Sequence, residues 1–514
     1  MAFHARSILQ TKGFHLPTFE QTNGHITIRT GSPSRATSLQ IKNLPENVSI
    51  PNYRRPIGRT LTPQLLDQTS LWLRTQLAHR GFPCIKIIEF ADPVSGRIEL
   101  KVESLSAYPI RIREVIEPQV QNIAPHVFER YRAFHLDAIY DERKFEITNR
   151  RIDADGVSEA SQFRALCEHL SADGVPVEHT VLTGAPRILR VGFGVSTDDY
   201  LLGRMNWQIA RLGAQASTLW FDVRGSFREQ SFRSYAVWYV SDTYPRLHLN
   251  PTLSVVRETE SPYTAVNSSA QVLIASSKDF QTLNWSWKLG PKFTDSRIFE
   301  GTGPKQTHFP SLFGALDFTS HNYEYFRFQP RDGWAMGVQA QGLHRDLYSP
   351  ISAVKTSVSL DFLSALGGQD PKLLIFGFRT RAESSFMSGQ QDLNKIPFEF
   401  RRYLGGSHDL RGFPRKSLPS NDLGAISSAF ASVELRSEKF FVDSMHPFLL
   451  FDAGILGREK YRYVMPVFSS AGGGIRWQTF IGVLRATVAR GFVWGPQSQT
   501  PESVQFHASL GEEF

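Results

Sequence analysis

The chain has 514 residues, of which 41% are hydrophobic and 21% are charged; this is the composition of a folded protein, and the length predicts at least two structural units. No segment approaches the ~20 consecutive apolar residues of a membrane-spanning helix, which excludes a helical membrane protein but not a barrel, because barrel strands alternate lipid-facing and lumen-facing residues. The formal charge of +8 comes from interspersed residues rather than basic runs, so we expect no nucleic-acid partner.

The N-terminal segment lacks an apolar core long enough for a secretory signal peptide. Either the signal is missing from this chain, or the protein stays in the cytosol. Residues 9–14 repeat the pattern of residues 77–82, since each run closes a helix-like segment on a glycine and precedes two strand-like segments. The first copy has no room for its opening strand and helix. We therefore expect residues 1–35 to be a partial repeat and Met1 not to be the natural start of that fold.

The second copy shows the repeat most fully. Thr62 can cap a helix, with Pro63 in its first turn and Gly81 as its left-handed stop. Two strand-like segments follow around a glycine-containing turn, as in a half-buried hairpin. A third copy opens at Ile110 and passes through Gly156. The predicted complete α+β units cover residues 36–106 and 107–187.

The two cysteines, Cys84 and Cys167, fall in different predicted repeats. Two thiols so placed predict neither a disulfide framework nor a metal cluster, and we expect both to be packing residues. No metal and no cofactor are expected anywhere in the chain.

The character of the chain changes after Arg187, where amphipathic helices give way to alternation with a period of two. Leu283, Trp285 and Trp287 interleave with polar residues, so one face is apolar and the other is polar. Residues 188–514 are long enough for 16 strands with their connections, at about 9 to 11 residues per strand. The predicted fold is α+β repeats followed by a transmembrane antiparallel β-barrel of 16 strands. A soluble all-β sandwich is the alternative, because its strands also alternate.

The last strand shows the same alternation. Phe506 and Leu510 share one parity with the terminal Phe514, while His507 and Ser509 share the other. The chain therefore ends on an aromatic residue of the apolar face.

A motif in the C-terminal half carries a family resemblance. Residues 401–413 read RRYLGGSHDLRGF, an aromatic-Leu-Gly-Gly run followed by an Arg-Gly-aromatic tip. The run resembles the signature of the BamA and TamA superfamily of outer-membrane assembly and export proteins. The resemblance implies that Arg411, Gly412 and Phe413 form the tip of an extracellular loop folded back into the barrel, where the arginine meets acidic residues of the inner wall. The neighbouring Ser-His-Asp run is read as loop residues, since consecutive side chains cannot converge into a hydrolase triad.

Two acidic residues match the family's inner wall. Asp452, within residues 451–454, resembles the family's Asp-x-Gly strand, and alternation directs it into the lumen. Glu434 has the same parity between two apolar neighbours and resembles the second acidic wall residue. A planar guanidinium suits this role because it binds carboxylates bidentately and stays charged.

The remaining parts of the chain also resemble this family. The N-terminal repeats look like POTRA domains, and Phe506, Leu510 and Phe514 resemble its C-terminal assembly signal. The resemblance implies an outer-membrane protein with its POTRA arm in the periplasm, which is not an enzyme and handles unfolded outer-membrane or secreted client proteins in contact with the lipid bilayer.

Two complete repeats and part of a third fit a TamA-like insertase, with a periplasm-spanning partner of the TamB type, better than the five POTRA domains of BamA. The alternative is a two-partner secretion transporter that exports one dedicated adhesin. A passive porin or a structural anchor ranks third, because neither needs the looped-in tip or client-binding repeats.

Overall fold

The computed structural model describes residues 2–511 apart from short gaps, which are 23–24, 125, 242–243, 245, 329, 350, 389–395, 421–422, 439–443, 460–461, 481 and 496–502. Among these residues, no helix is long and apolar enough to cross a membrane.

The N-terminal arm contains three small α/β units. The first has a helix and a hairpin: α1 (Ala2–Thr11), β1 (Thr18–Thr22) and β2 (His25–Arg29). The second contains β3 (Ser38–Lys42), β4 (Asn52–Tyr53), α2 (Pro63–Ala78), β5 (Ile85–Asp92) and β6 (Arg97–Ser104). The third contains β7 (Ile112–Ile116), α3 (His126–Glu129), α4 (Glu142–Ala154), β8 (Ala160–Ala165) and β9 (Val175–Leu182). The domain boundaries given above stay a prediction.

Each complete unit packs its helix on a three-stranded sheet, with strand orders β3-β6-β5 and β7-β9-β8. The long helix α2 begins where the Thr62 side chain accepts a hydrogen bond from the backbone of Leu65, at 3.2 Å. Leu73 and Leu77 on its inner face are fully buried against the sheet. The helix stops before Gly81, whose φ of +95° is a conformation that favours glycine.

The two cysteines form a disulfide, with Cα atoms 5.4 Å apart, so the prediction of two separate packing residues is wrong. Cys84 follows the second unit's helix, but its side chain packs into the core of the third unit together with Ala78 and Ile112. The two repeats thus share a buried boundary, and this brings together cysteines that are 83 residues apart in sequence.

The rest of the chain forms one closed antiparallel barrel of 16 strands, which confirms the prediction and excludes a sandwich. Its strands in order are β10 (Arg187–Ser196), β11 (Tyr200–Leu212), β12 (Ser217–Ser226), β13 (Glu229–Tyr239), β14 (His248–Glu260), β15 (Tyr263–Asp279), β16 (Leu283–Glu300), β17 (Gln306–Ser320), β18 (Gly333–Leu343), β19 (Ala353–Leu366), β21 (Leu374–Met387), β22 (Ser427–Ser437), β23 (Met445–Glu459), β24 (Arg462–Thr479), β25 (Gly482–Trp494) and β26 (Val504–Gly511). The helix α5 (His321–Tyr325) lies between β17 and β18, and the short β20 (Gln369–Asp370) lies outside the barrel.

The outside of the barrel is apolar. On β10, every second residue from Leu189 to Val195 is an exposed hydrophobic side chain, and Phe193 is 76% exposed. Such an outward apolar band is what a lipid-facing barrel requires.

The arm is anchored to one end of the barrel, called here the arm-side end. Arg151 on α4 binds Asp279 at 2.9 Å and Glu324 of α5 at 2.6 Å. Burial alone would lower the pKa of Arg151, but hydrogen bonds and charge from Glu324 and Asp279 raise it. In the second unit, Trp72 donates to Asp370 of β20 at 2.6 Å, and β4 pairs with β20 in parallel. Both complete units therefore contact the barrel directly.

Replacing both cysteines (C84A with C167A) is expected to lower the free energy of unfolding of the arm by about 2–4 kcal/mol, because the cross-link limits the unfolded chain. Urea-dependent proteolysis of the arm measures this change. The single variant C84A, which also removes the cross-link, should match the double variant. Equal urea midpoints for wild type and double variant would contradict the prediction.

Candidate functional site

The long connection between β21 and β22 folds into the barrel, and its described residues 396–420 and 423–426 are called the lid. Bridges between Arg402 and Ala425 and between Leu404 and Leu418 make the lid a hairpin. At Gly405, with φ of +110°, a side chain would meet the carbonyl oxygen of Pro414 at 2.2 Å, so the turn needs glycine. The lid buries its own apolar core inside the lumen, with Leu404, Leu410, Phe413 and Leu418 against Phe430, Leu456 and Phe468 of the wall.

The lid tip is held by a buried charge network. Arg411 binds Asp452 on β23 bidentately, at 2.9 Å from Nε and 2.6 Å from Nη2, and binds Glu434 on β22 at 2.5 Å from Nη1. Ser432 accepts from Arg411 and donates to Asp452, so it completes the network. Asp452 is fully buried, whereas its neighbour Phe451 is exposed on the outer face. The three charged residues singled out from the sequence therefore meet in the lumen.

Glu434 binds more than the lid. Its carboxylate lies 2.8 Å from Arg436, 3.3 Å from Arg485 and 3.7 Å from Arg476, in addition to Arg411. Four guanidinium groups on one buried carboxylate give this part of the wall a positive excess. Because Arg411 of the lid is the fourth of these cations, Asp452 is needed as an additional counter-charge.

The next two tip residues lie against other strands. Gly412 donates from its backbone to Ser470 on β24 at 2.9 Å. A side chain at Gly412 would come within 2.4 Å of the backbone nitrogen of Gly491 on β25, so only glycine allows this approach. Phe413 is buried and packs edge-on against Phe468, with ring centroids 5.8 Å apart.

The base of the tip reaches the opposite wall. Arg415 binds Asp199 at 2.9 Å and Glu260, at the end of β14, at 2.8 Å. Lys416 binds Glu258 on the same strand at 3.0 Å. Because β14 is the fifth strand and β23 the thirteenth of 16, the lid spans the lumen between opposing walls.

The barrel closes at a short seam between its first and last strands. Among the described residues, β10 pairs with β11 at ten positions but with β26 at two, Val195 with Leu510 and Ser196 with Ser509. A backbone bond from Thr197 to Ala508 at 3.0 Å extends this pairing slightly. Within the described residues, the arm-side part of β10, residues 187–194, has no strand partner on the seam side.

One carboxylate connects the lid with the seam. Asp198, just after β10, accepts from the Ser407 hydroxyl at 2.6 Å and from its backbone at 3.0 Å. Its other oxygen lies 3.4 Å from Nδ1 of His507 on β26. His507 also contacts the carbonyl oxygen of Arg411 through Nε2, at 2.8 Å. The first strand, the last strand and the lid tip thus share one polar cluster.

The described residues of the predicted C-terminal signal lie at two places, the seam and the outer face of the barrel. Phe506 is an outward side chain on β26, 58% exposed, and Leu510 lies at the seam beside Val195. Phe514 lies outside the described residues. Sequence reasoning assigned no role to Asp198 or to Ser407, although Ser407 lies within the motif of residues 401–413. In the part of the chain that the structure describes, no group of three or more His, Cys, Asp or Glu side chains could hold a metal ion.

A closed barrel with an outward apolar band, an inserted loop and an N-terminal arm of small α/β units defines a transmembrane barrel of the outer-membrane type. Residues 245–514, more than half of the chain, match the family model described as the Omp85 superfamily domain. The chain therefore belongs to the Omp85 superfamily, which confirms the family resemblance, and its arm has the POTRA architecture.

Solved structures show the same fold. BamA from Haemophilus ducreyi lacking POTRA domains 1–3 is 13% identical, with a TM-score of 0.55 over 88% of this chain and 94% of that chain. CdiB from Escherichia coli is 12% identical, with a TM-score of 0.52 over 99% and 96%. CdiB from Acinetobacter baumannii is 12% identical, with a TM-score of 0.50 over 99% and 97%. No curated protein sequence matches this chain.

The variant R411A is expected to destabilise the folded barrel by about 3–5 kcal/mol, because it leaves the Asp452 carboxylate buried without its partner. The temperature at which the folded barrel converts to the slower unfolded band in a detergent gel should fall. R411K should give a smaller fall, since lysine keeps the charge but cannot bind bidentately. R297A removes an exposed ion pair with Asp295 and is the control, with a cost of about 0–1 kcal/mol. Equal transition temperatures for R411A and R297A would refute the role of this network.

Proposed function

We propose that this protein is a TamA-like factor that inserts β-barrel proteins or autotransporters into the bacterial outer membrane, with its arm in the periplasm. It acts by strand pairing and binding rather than by catalysis. The observation that carries the proposal is the seam, where the described residues of β10 and β26 pair at two positions.

A weakly paired seam supports insertion because it can open, and the freed edge of β10 can then serve as a template for a client strand. Residues 187–194 already lack a seam-side strand partner among the described residues, and opening would also free residues 195 and 196. An incoming client strand can pair with the backbone of this edge irrespective of its sequence. Such an edge cannot stay exposed in lipid, where unpaired backbone groups are costly. An opened seam therefore favours capture of a client strand that restores the pairing.

The lid supports the same function by holding the barrel ready for opening. Its network through Arg411 fixes β22 and β23, and its contacts through Arg415 fix β14. The walls away from the seam are thereby braced. At the seam, the lid is linked through Asp198 and His507, and Arg415 binds Asp199 just after β10. Opening must break these polar contacts together with the short strand pairing of the seam.

The arm offers a second surface for unfolded clients. In the second unit β5 is an edge strand, and its side chains Ile88 and Phe90 are exposed. An extended client segment could add to this edge before it reaches the barrel. A periplasm-spanning partner of the TamB type is proposed to deliver clients to this arm.

The alternative is a two-partner secretion transporter that exports one adhesin through its lumen. The arm contains two complete three-stranded units, β3-β6-β5 and β7-β9-β8, which is the number of POTRA domains in such transporters. The additional α1 and β1-β2 hairpin favour the TamA-like function, because they supply part of a third unit.

Locking the seam is expected to abolish client insertion. The variant S196C with S509C places two cysteines at a directly paired, lumen-facing position of the seam. When oxidised, it should fail to insert an unfolded barrel client into liposomes, and reduction should restore activity. S254C with S269C joins an equivalent lumen-facing pair on β14 and β15 and should stay active when oxidised. Full activity of the oxidised seam variant would reject a mechanism that depends on seam opening.

Depletion of the protein in its native cell, followed by quantitative proteomics of the outer membrane, distinguishes the two functions. We expect several unrelated barrel proteins or autotransporters to be lost, because a sequence-independent edge serves many clients. Loss of a single secreted adhesin, with the membrane otherwise unchanged, would contradict the insertase and support the dedicated exporter.

A further inference from the structure

A wide cleft of about 990 Å³ separates the arm from the arm-side end of the barrel. On the arm, Arg80, Arg111 and Lys144 line it, and on the barrel, Trp334 of β18 and Phe362 of β19 line it. The cleft belongs to neither the lid nor the seam. The arm side carries more cations than carboxylates, and the barrel side combines the two aromatic residues with polar ones such as Gln281 and Asn322.

The cations of the cleft are not neutralised by the protein. In the described part of the chain, Arg80, Arg111 and Lys144 form no ion pair with a carboxylate. Burial, only partly opposed by Asp141, lowers the pKa of Lys144. Burial and the charge of Arg143 lower the pKa of His79 to about 4. The attraction for an anion comes from the three cations, which line one cleft with no carboxylate bound directly to them in the described part of the chain.

The carboxylates that line the cleft are engaged elsewhere or exposed to water. Asp141 binds Arg143 at 2.7 Å and caps α4. Asp332 accepts a hydrogen bond from Asn322 at 2.8 Å. Asp137 is exposed. Their negative charge does not reach the three unpaired cations through direct contact.

The two aromatic residues of the cleft lie at the ends of strands whose outer face is apolar. Trp334 and Phe362 are directly paired between β18 and β19, and they have the parity of the outward side chains Met336 and Val358. They lie at the arm-side end of these strands, where tryptophan and other aromatic residues of barrels meet the lipid headgroups. The cations of the arm thus lie next to the headgroup layer rather than next to the lumen.

We propose that this cleft binds the phosphate of an anionic glycerophospholipid from the arm-side leaflet, with Arg80, Arg111 and Lys144 as phosphate ligands and Trp334 and Phe362 against the acyl chains. Arginine and lysine are the side chains that bind phosphate oxygens in proteins. A lipid in this position bridges the arm and the barrel, so it stabilises the docked arm. The inference does not depend on which client proteins the barrel handles.

Native mass spectrometry of the full chain in detergent, titrated with phosphatidylglycerol, tests the site. One lipid per chain should be retained, and R80Q with K144Q should weaken its binding about 30-fold, at about fivefold for each cation near a lipid phosphate. K144Q alone, which breaks no hydrogen bond among the described residues, should weaken binding about fivefold. The charge-conserving variant R80K with K144R should bind phosphatidylglycerol like the wild type. This result would exclude misfolding as the cause of the weaker binding of R80Q with K144Q.

The control is K86Q with K101Q, which removes two exposed cations from β5 and β6 of the arm, away from the cleft. It should bind phosphatidylglycerol like the wild type, and an equal loss would show a bulk charge effect and overturn the proposal. If inorganic phosphate displaced phosphatidylglycerol as effectively as added phosphatidylglycerol does, the claim that the ligand is a membrane lipid would be overturned. Phosphatidylcholine retained as tightly as phosphatidylglycerol would overturn selection for an anionic headgroup.

Discussion

A β-strand in a bilayer must pair its backbone donors and acceptors, because lipid offers no replacement for a missing partner. In this barrel fifteen of the sixteen junctions between strands are extended, and the junction of β10 with β26 is short. The polar cluster of Asp198, Ser407 and His507 lies beside this junction. Side-chain bonds through the lid thus supplement a ladder that the two strands form only in part.

The charges in the lumen explain how the lid can be both ordered and removable. Replacing a buried ion pair by apolar residues often costs little, whereas removing one partner is expensive. The bidentate bond between Arg411 and Asp452 therefore specifies where the tip lies more than it stabilises the barrel. The apolar core around Leu404 and Phe413 supplies the non-directional part of the binding. A lid held in this way has one defined position in the lumen.

The sequence allowed the barrel and the lid tip to be predicted, because both depend on local patterns. Alternation with a period of two can be recognised in each strand without knowing which strand it pairs with. The run ending in Arg411-Gly412-Phe413 is contiguous, so it can be recognised as a motif. The disulfide could not be predicted, since Cys84 and Cys167 are 83 residues apart and meet only when two repeats pack together. The bond between Asp198 and Ser407 spans 209 residues and follows from the shape of the closed barrel. Contacts that form only when distant parts of the chain pack together have no local sequence pattern that could predict them.

The arm is joined to the barrel at several places, among them a bond from Arg130 to the carbonyl oxygen of Gln215 between β11 and β12, at 2.7 Å. Through the chain, β9 leads into the seam strand β10 after residues 183–186. Through side chains, Arg151 and Trp72 hold the end of β15, α5 and β20, which belong to the wall remote from the seam. The disulfide also ties the two complete units to each other, so the arm is linked both within itself and to the barrel wall. Of its attachments, the chain connection into β10 is the one that leads to the seam, where β10 has two paired positions with β26 among the described residues.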